Sequence, residues 1–484
     1  MRLPAGRVVP SLCVEARYNP AHRRYRRTMA RLARPPGPHI NVVLAVIGQM
    51  FPERFPFDPL TFGVSIAREF GDIAHYHVGP LHVYQLSHPD FARQILVEQP
   101  EKFYKPRLIK HAFGVFAGQG LLTSDGAVWK QQRKLIQPAF HHAQLAAYGA
   151  AMVGHTLRII DSLEDGAVVE IHEVMPRLTL AIVVQTLFGA DITREATDVG
   201  RLMIAVLDAA NDRLNRILRL PSWVPTRRNL REKRALTRLD TLLESFIDAH
   251  RASSEKPADL LSMLLAATDE ESGSGMSDSQ LHEEMMTLFL AGHETTAMAL
   301  TWTLYLLSQH PEVEERLVRE VSRVLGGRAP TVADLPQLPY TDMVVREALR
   351  LYPPAAGVAR EPIEDVHIGG YTVPKGSLVT VNTYALHHDP RFFDEPERFD
   401  PERFSSGWEE RIPRYAFLPF GGGPRVCIGN GFAMMEARLI LATVVQRCRL
   451  SLEPGQDIVP MQLVTMRPKH GIRMRVAVRE HANR

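Results

Sequence analysis

The stretch FLPFGGGPRVCIGNG at residues 417–431 places Cys427 among five glycines, with Arg425 two residues before it. Glycines permit turns closed to other residues and leave room for a flat or bulky group to approach. The pattern over residues 430–448 predicts an amphipathic helix, whose free N–H groups and dipole would stabilise a thiolate at Cys427. This combination suits ligation of a metal inside a bulky anionic cofactor. The alternative is a small buried side chain, the usual fate of a single cysteine.

A second chemical segment is LFLAGHETTAMALTW at residues 288–302, an apolar helical pattern interrupted by GHETT. Gly292 and Thr295 are three positions apart and therefore share a helix face. A mid-helix glycine costs roughly 1 kcal/mol relative to alanine. Room beside a hydroxyl is what bound dioxygen would require, and Glu294 adds a titratable group. Taken alone, the segment fits a helix crossing with a satisfied polar cluster better.

Two further pairs have helical spacing but mean little in isolation. Glu347 and Arg350, in REALRLYPP (346–354), are spaced i,i+3, and an exposed pair of this kind contributes under ~0.5 kcal/mol. Trp129 and Arg133 are four apart on a predicted helix, where they could form a surface cation–π pair or no interaction.

The segment FGGGPRVCIG (420–429) matches every fixed position of FxxGxRxCxG, the signature of the cytochrome P-450 superfamily. The chain resembles this family over roughly residues 35–480, with its motifs in the family's order. The resemblance implies heme b, with Cys427 as the axial thiolate ligand of the iron, which favours cleavage of the O–O bond. It also implies that Phe420 packs near the sulfur, that Arg425 contacts a heme propionate, and that Gly429 belongs to the cofactor loop.

The same resemblance assigns roles to the other segments. In AGHETT, Thr295 would support activation of O2, Glu294 would help to relay protons, and Gly292 would face the cofactor. Further propionate contacts are expected from the side chains of Trp129, Arg133 and Arg360.

A structural charge cluster is implied for Glu347, Arg350 and Arg403, with the role of holding the cysteine loop. The chain contains two PERF segments, and FDPERF (399–404) matches the longer family pattern better. Arg403 is therefore preferred, and Arg398 from the first PERF segment is the alternative.

The fold class expected is mainly α with small β-sheets: a single cytochrome P-450-type domain over residues 35–484, with a triangular-prism helical fold. Heme would lie between the long central helix and the helix after the cysteine loop. Alternation around Gly79-Pro80 predicts a hairpin over residues 74–87, and the run 279–308 predicts the long helix. With 57 basic and 54 acidic residues, the net charge of +3 argues against nucleic-acid binding.

Cysteine usage, hydropathy and the N-terminal segment bear on the compartment and on membrane attachment. Three widely spaced cysteines exclude a disulfide framework or a zinc ribbon and favour a reducing compartment. No segment reaches the ~18 apolar residues of a membrane helix, so no transmembrane anchor is expected. Residues 1–34 hold nine arginines and one acid, Glu15. They read as a disordered basic arm, a mis-called start or a targeting or membrane-surface segment. We expect a cytoplasmic, monomeric, bacterial-type enzyme.

The activity implied is a heme-thiolate monooxygenase that hydroxylates or epoxidises a lipophilic terpenoid, fatty acid or steroid-like compound. No dinucleotide-binding fingerprint is present, so electrons would come from a separate ferredoxin or flavodoxin with its reductase. The alternatives are a heme-thiolate enzyme that rearranges its substrate without O2, a non-catalytic heme carrier or sensor, and a helical protein with a structural cysteine. Thr295 argues against the first two, and the ordered motifs argue against the third.

Overall fold

A computed structural model of the protein describes residues 34–40, 57–193, 195–215, 223–254, 259–267 and 275–479, without the side chains of 142–145. Apart from Arg34, the expected basic arm lies outside the described residues. The domain boundaries therefore stay a prediction.

Helices form most of the described chain, as the helical periodicity predicts. In chain order they are α1 (Pro59–Phe70), α2 (Pro89–Arg93), α3 (Arg107–Ala117), α4 (Gly126–Ile136), α5 (His142–Asp161), α6 (Ile171–Phe188), α7 (Ala196–Asn215), α8 (Arg227–Ala252), α9 (Leu260–Ala266), α10 (Asp278–Gln309), α11 (Pro311–Leu325), α12 (Pro339–Leu351), α13 (Thr383–His387), α14 (Trp408–Arg411) and α15 (Asn430–Arg447).

Strands are short and form small sheets at the edges of the helical body. They are β1 (Ile73–Val78), β2 (Leu81–Leu86), β3 (Phe103–Tyr104), β4 (Val168–Glu170), β5 (Val358–Pro362), β6 (Val366–Ile368), β7 (Tyr371–Val373), β8 (Leu378–Val381), β9 (Cys448–Leu452), β10 (Pro460–Gln462), β11 (Met466–Pro468) and β12 (Arg473–Val478). The largest sheet has the order β1-β2-β8-β5-β3, a second has the order β4-β12-β9, and β6-β7 and β10-β11 form pairs. β1 and β2 form the predicted antiparallel hairpin around Gly79-Pro80.

The central helix is α10, which confirms the long helix predicted from the sequence. It begins with a capping box in which the Gln280 N–H donates to the Ser277 hydroxyl and the Gln280 side chain accepts from the Ser277 N–H. Most of its length is buried, and it packs against α6, α12, α15 and α3. Its position makes α10 the scaffold on which the residues of AGHETT are presented.

Helix α6 is the one described helix long and apolar enough to cross a membrane, and 72% of it is buried inside the protein. Its Thr179 hydroxyl donates to the His293 carbonyl of α10 at 2.9 Å. Burial against α10 therefore accounts for the apolar composition of α6.

The apolar spacing of residues 88–99 is typical of one continuous helix, but the α-helix ends early. α2 passes at Gln94 into a single turn of π-helix, Gln94–Glu98. The wider turn lies where the cysteine loop packs against it. A side chain at Gly423 would collide with the Leu96 carbonyl, so the two backbones are in direct contact. The helix predicted from residue 125 is shortened in a similar way, because Pro138 follows and residues 137–140 form a 3₁₀ turn.

Candidate active site

The cysteine loop is closed by backbone hydrogen bonds that leave the sulfur accessible. The Cys427 N–H donates to the Phe420 carbonyl at 3.0 Å. Gly421 and Gly423 have φ of +71° and +70°, a region that favours glycine. Helix α15 begins at Asn430, immediately after Gly429. The loop therefore presents Cys427, which is exposed, at the start of a helix, as the sequence predicts.

The protonation of Cys427 differs from the expectation. The surrounding protein desolvates the thiol and raises its pKa, while the Gly429 N–H and the Arg133 guanidinium only partly oppose this effect. Desolvation of the sulfur by the surrounding protein thus outweighs the helix N-terminus, although the residue keeps an exposed surface. A coordinated metal ion deprotonates a thiol outright, so the thiolate form depends on the metal.

Aromatic and basic side chains gather beside the loop. The guanidinium carbon of Arg425 lies 4.9 Å from the centroid of the Trp129 ring, and that of Arg133 lies 5.9 Å from it. Arg133 also donates to the Val426 carbonyl at 2.9 Å. These contacts join α4 to the cysteine loop, and the structure brings together three of the side chains predicted to contact propionates.

Two residues of this group were missed in the sequence. Asp125 pairs with Arg425 and with Lys110, whose Nζ lies 2.6 Å from the Asp125 carboxylate. Lys105 donates from Nζ to the carbonyls of Leu121 (2.6 Å) and Ser124 (2.8 Å). Burial, then the positive charge of Arg425, lowers the pKa of Lys105 to about 7.

Arg360 belongs to the same group. Burial, followed by the charge of Arg425, lowers its pKa to about 10, with Asp125 opposing. We call the set Arg133, Arg360, Arg425, Lys105 and Asp125 the open cluster. It contains four basic side chains and one carboxylate, so it has an excess of positive charge, and Arg133 and Arg425 lie next to Cys427. Two further carboxylates, which heme carries as propionates, would offset most of that excess.

The middle of α10 has an accessible face. Ala291 is exposed and Thr295 is partly exposed, whereas most of the helix is buried. The Thr295 hydroxyl donates to the Ala291 carbonyl at 2.9 Å. A Cβ at Gly292 would lie 3.2 Å from Val183 of α6, so the missing side chain allows close helix packing. The room that the sequence analysis gave to Gly292 therefore belongs to Ala291 and Thr295.

Glu294 points away from that face. Its carboxylate accepts from Arg467 Nε at 2.7 Å and from the Thr465 hydroxyl at 3.0 Å, and both partners lie on or beside β11. Only 3% of its surface is exposed. The predicted role in proton relay stays a prediction, and the structure gives Glu294 a partner that no sequence pattern indicated.

A second buried carboxyl near this face was also missed. Glu436 on α15 is fully buried, and burial raises its pKa well above the ordinary value, with the Thr296 hydroxyl opposing. Glu436 follows Cys427 by nine positions on the helix that carries the cysteine loop. The helical pattern of residues 430–448 does not single out Glu436, because its position is like any other polar position on the helix.

The residues Glu347, Arg350 and Arg403, which we call the closed cluster, meet as the sequence analysis expected. Arg350 uses its guanidinium in five hydrogen bonds: two to the Glu347 carboxylate and three to the carbonyls of His387, Pro396 and Arg398. Arg403 Nε lies 3.3 Å from Glu347. Arg398, the alternative, instead pairs at the surface with Glu395.

The closed cluster reaches the cysteine segment through His387. The His387 Nδ1 lies 3.1 Å from the Arg350 carbonyl, and its Nε2 accepts from the Leu418 N–H at 2.9 Å.

A groove of about 740 Å³ opens elsewhere, between α3, α8 and the start of α10. Acidic side chains, among them Asp240 and Glu283, line much of it, and Cys427 does not.

The family profile described as Cytochrome P450 matches residues 35–474. Cyclooctat-9-en-7-ol 5-monooxygenase of Streptomyces melanosporofaciens is 38% identical over 401 residues, covering 83% of this chain and 87% of the relative. Pentalenene oxygenase of Streptomyces avermitilis is 34% identical over 424 residues, covering 87% and 93%. The crystal structure of the cytochrome P450DA heme domain superposes with a TM-score of 0.82 at 26% identity, covering 90% of this chain and 96% of that one.

This chain therefore belongs to the cytochrome P-450 family. It is an oxygen-incorporating oxidoreductase, with heme iron as cofactor and O2 as co-substrate. The family acts on lipophilic substrates and takes electrons from a redox partner. The expected fold class, mainly α with small sheets, is confirmed.

Proposed function

We propose that this monooxygenase hydroxylates or epoxidises a terpenoid. The observation that carries the substrate class is the set of relatives named for such chemistry: Cyclooctat-9-en-7-ol 5-monooxygenase, Cyclooctatin synthase and Pentalenene oxygenase, at 34–38% identity over more than four fifths of this chain. A cytoplasmic location and a monomeric state stay predictions.

The composition of the helices around α10 supports an apolar substrate. Phe113 and Phe116 of α3 pack edge to face with their centroids 5.7 Å apart. They belong to one apolar cluster with Leu207 of α7 and Leu290 of α10. Side chains of this kind favour a hydrocarbon skeleton by burying apolar surface, at about 25 cal/mol per Å².

Cys427 would ligate the heme iron, with Phe420 and Gly429 fixing the loop that carries it. Arg133, Arg360, Arg425 and Trp129 would hold the propionates, and the charge excess of the open cluster supports this assignment. When bound, the thiolate-ligated heme activates O2 and delivers one oxygen atom to the substrate.

Thr295 would accept a hydrogen bond beside the reacting oxygen and so keep that proton in place. Its hydroxyl donates to the Ala291 carbonyl, so its own oxygen is free to accept a hydrogen bond from a donor in the accessible face of α10. Glu294 would supply protons only when its carboxylate leaves Arg467, with which it pairs at 2.7 Å. This change of hydrogen-bond partner by Glu294 would couple proton supply at α10 to the position of Arg467 on β11.

Electrons would arrive from a separate ferredoxin or flavodoxin with its reductase. Lys130 on α4 and Arg414 before the cysteine loop are exposed and basic, which suits docking of an acidic carrier. Lys130→Glu with Arg414→Glu should raise the apparent KM for the carrier and leave substrate affinity unchanged. Lys233→Glu on α8 is the matched control. Equal effects of both changes would remove this docking face.

The substrate class is tested by turnover. Purified protein with a ferredoxin and its reductase would be given pentalenene, cyclooctat-9-en-7-ol, a medium-chain fatty acid and a steroid, and products would be identified by mass spectrometry. We expect a product with one added oxygen atom from a terpenoid. Turnover of the fatty acid or the steroid, with none of the terpenoids, would contradict the proposal.

The ligand assignment is tested by the spectrum of the reduced carbon monoxide complex. Cys427→Ser should abolish the thiolate-type Soret band. Cys448→Ala, at the other described cysteine, should retain it, because Cys448 is buried and its thiol lies 3.5 Å from the Val444 carbonyl. A thiolate band that persists in Cys427→Ser would overturn the assignment.

The role of Thr295 is tested by coupling efficiency. Thr295→Ala should retain heme but release peroxide in place of product, whereas Thr295→Ser keeps a hydroxyl and should preserve most of the coupling. Product yield per electron that is equal in Thr295→Ala and the unchanged protein would remove the role.

A further inference from the structure

The β1–β2 hairpin brings three histidines onto one face. His75 and His77 alternate along β1, so their side chains point to the same side of the sheet. His82 of β2 is the cross-strand partner of His77, and paired residues also share a face. Hairpin register, and not chance proximity of loops, therefore fixes the group.

The ring nitrogens are close enough to share an ion. His75 Nε2 and His82 Nδ1 are 3.1 Å apart. One ring nitrogen from each of the three histidines lies within 4.8 Å of the others. Zinc binds imidazole nitrogen at ≈ 2.0–2.1 Å in tetrahedral sites, which places two such ligands about 3.3 Å apart. Binding therefore requires ring rotations that bring the three nitrogens from within 4.8 Å to that spacing.

The surroundings divide the hairpin face into two zones. At its inner end Ile73 faces Leu86, and both are buried in an apolar cluster. The histidines occupy the outer end, where His77 and His82 are partly exposed and reachable from solvent. Ring contacts among the three, with centroids 4.3–5.3 Å apart, are the alternative account of the group.

We propose that His75, His77 and His82 bind one divalent transition-metal ion, Zn²⁺ in preference to Mg²⁺, at the face of the β1–β2 hairpin. Three imidazoles form a nitrogen-only set, which suits zinc and disfavours ions that require oxygen ligands. Water completes the fourth position. The ion cross-links β1, the edge strand of the sheet, to β2, and it is separated by β2 and β8 from β5, which carries Arg360.

Arg34 modulates the site. Its positive charge disfavours protonation of His75 and His82, and it opposes a bound cation in the same way. The segment that follows Arg34 runs along β1, where the His75 N–H donates to the Pro36 carbonyl at 3.0 Å. Arg34→Gln should therefore tighten zinc binding.

The test uses the purified heme protein, stripped with a chelator and dialysed against micromolar Zn²⁺ or Mg²⁺. Elemental analysis then gives zinc per heme iron, with the iron as an internal count of the enzyme. We expect one zinc per iron and no retained magnesium. Residues that merely support metal ligands already contribute about 10–100-fold to affinity. His77→Ala and His82→Ala should therefore each weaken zinc binding at least tenfold.

His367→Ala is the matched control, because His367 also lies on a strand of a hairpin, is exposed, and contacts Thr372. The heme spectrum reports whether each variant is folded. A crystal soaked in Zn²⁺ gives a second measurement that needs no variant, since the anomalous signal should peak between the three rings. Zinc held equally by His77→Ala and His82→Ala, an anomalous peak elsewhere, or no zinc at all would overturn the proposal.

Discussion

The closed cluster is centred on the fully buried Arg350, whereas the arginines of the open cluster are half-buried, and the two clusters also differ in charge balance. In the closed cluster each N–H of the Arg350 guanidinium has a protein partner. The open cluster contains four basic side chains and one carboxylate, and the pKa values of Lys105, Arg133 and Arg360 are all lowered by burial.

This difference separates a structural role from a binding role. A buried charge that is fully hydrogen-bonded within the chain holds the fold, because removing one partner leaves the others unpaired. A group of buried like charges is unfavourable unless an oppositely charged ligand arrives. We infer that the closed cluster has its final structure without any ligand, whereas the open cluster reaches charge balance when an anionic group binds.

The largest effect is expected at the closed cluster. Arg350→Ala leaves the fully buried Glu347 carboxylate without its main partner, which should destabilise the fold by about 3–5 kcal/mol. Urea unfolding of the heme protein measures this loss, and low recovery of folded protein would accompany it.

The matched control is Arg398→Ala, which removes an exposed arginine paired with Glu395. An exposed pair contributes about 0.2–1 kcal/mol. Similar losses in Arg350→Ala and Arg398→Ala would show that closure of the cluster contributes little to the fold.

A second effect concerns Glu284, which adjoins the open cluster through the charge of Lys105. Burial raises the pKa of Glu284 to about 7, although the Leu121 N–H donates to it at 2.8 Å. The native state keeps a proton that the unfolded chain releases, so the free energy of unfolding should fall as pH rises from 4.5 to about 7. Glu284→Gln should remove up to about 3 kcal/mol of this dependence.

The measurement is urea unfolding at several pH values for both proteins, and the difference between them isolates Glu284 from other acids. Identical pH dependence in the two proteins would mean that the pKa of Glu284 is the same in the folded and unfolded states. The positive charge of the open cluster, acting through Lys105, would then offset the effect of burial on the pKa of Glu284.

A third effect concerns heme retention. Arg425→Gln removes a charged partner of the proposed propionate site, and hydrogen bonds to charged groups contribute about 1.5–3 kcal/mol. Transfer of heme to an excess of apomyoglobin should become roughly 10–100-fold faster, because each 1.4 kcal/mol is tenfold. Unfolding stability measured without heme should fall much less than heme retention, because Lys110 still pairs with Asp125.

Arg414→Gln is the control on the same segment, since Arg414 is exposed. A loss of apoprotein stability in Arg425→Gln, without faster heme transfer, would place Arg425 in the structural class and remove the contrast between the clusters.

Local signals account for the parts that could be predicted. The hairpin follows from alternation around Gly79-Pro80, α10 from its period, and the cysteine loop from a dense motif. The contact between Arg403 and Glu347 followed from the longer FDPERF pattern, although 56 positions separate the two residues.

The rest depends on contacts without a local pattern. Lys105 meets Asp125 across 20 positions, and Glu294 meets Arg467 across 173, with no spacing rule for either pair. The direction of the missing side chain at Gly292 depends on how α6 packs against α10, which no local pattern gives. Motifs therefore indicate which residues matter, while packing decides where they point.

The contact between Gly423 and the carbonyl of Leu96 has a consequence for the depth of the cysteine sulfur. The contact joins two backbones, so no change of side-chain rotamer can compensate for a shift in either one. The position of the cysteine loop is therefore set by the π-helical turn, Gln94–Glu98, rather than by side chains that can adjust. A register change in that single turn would therefore move the sulfur itself.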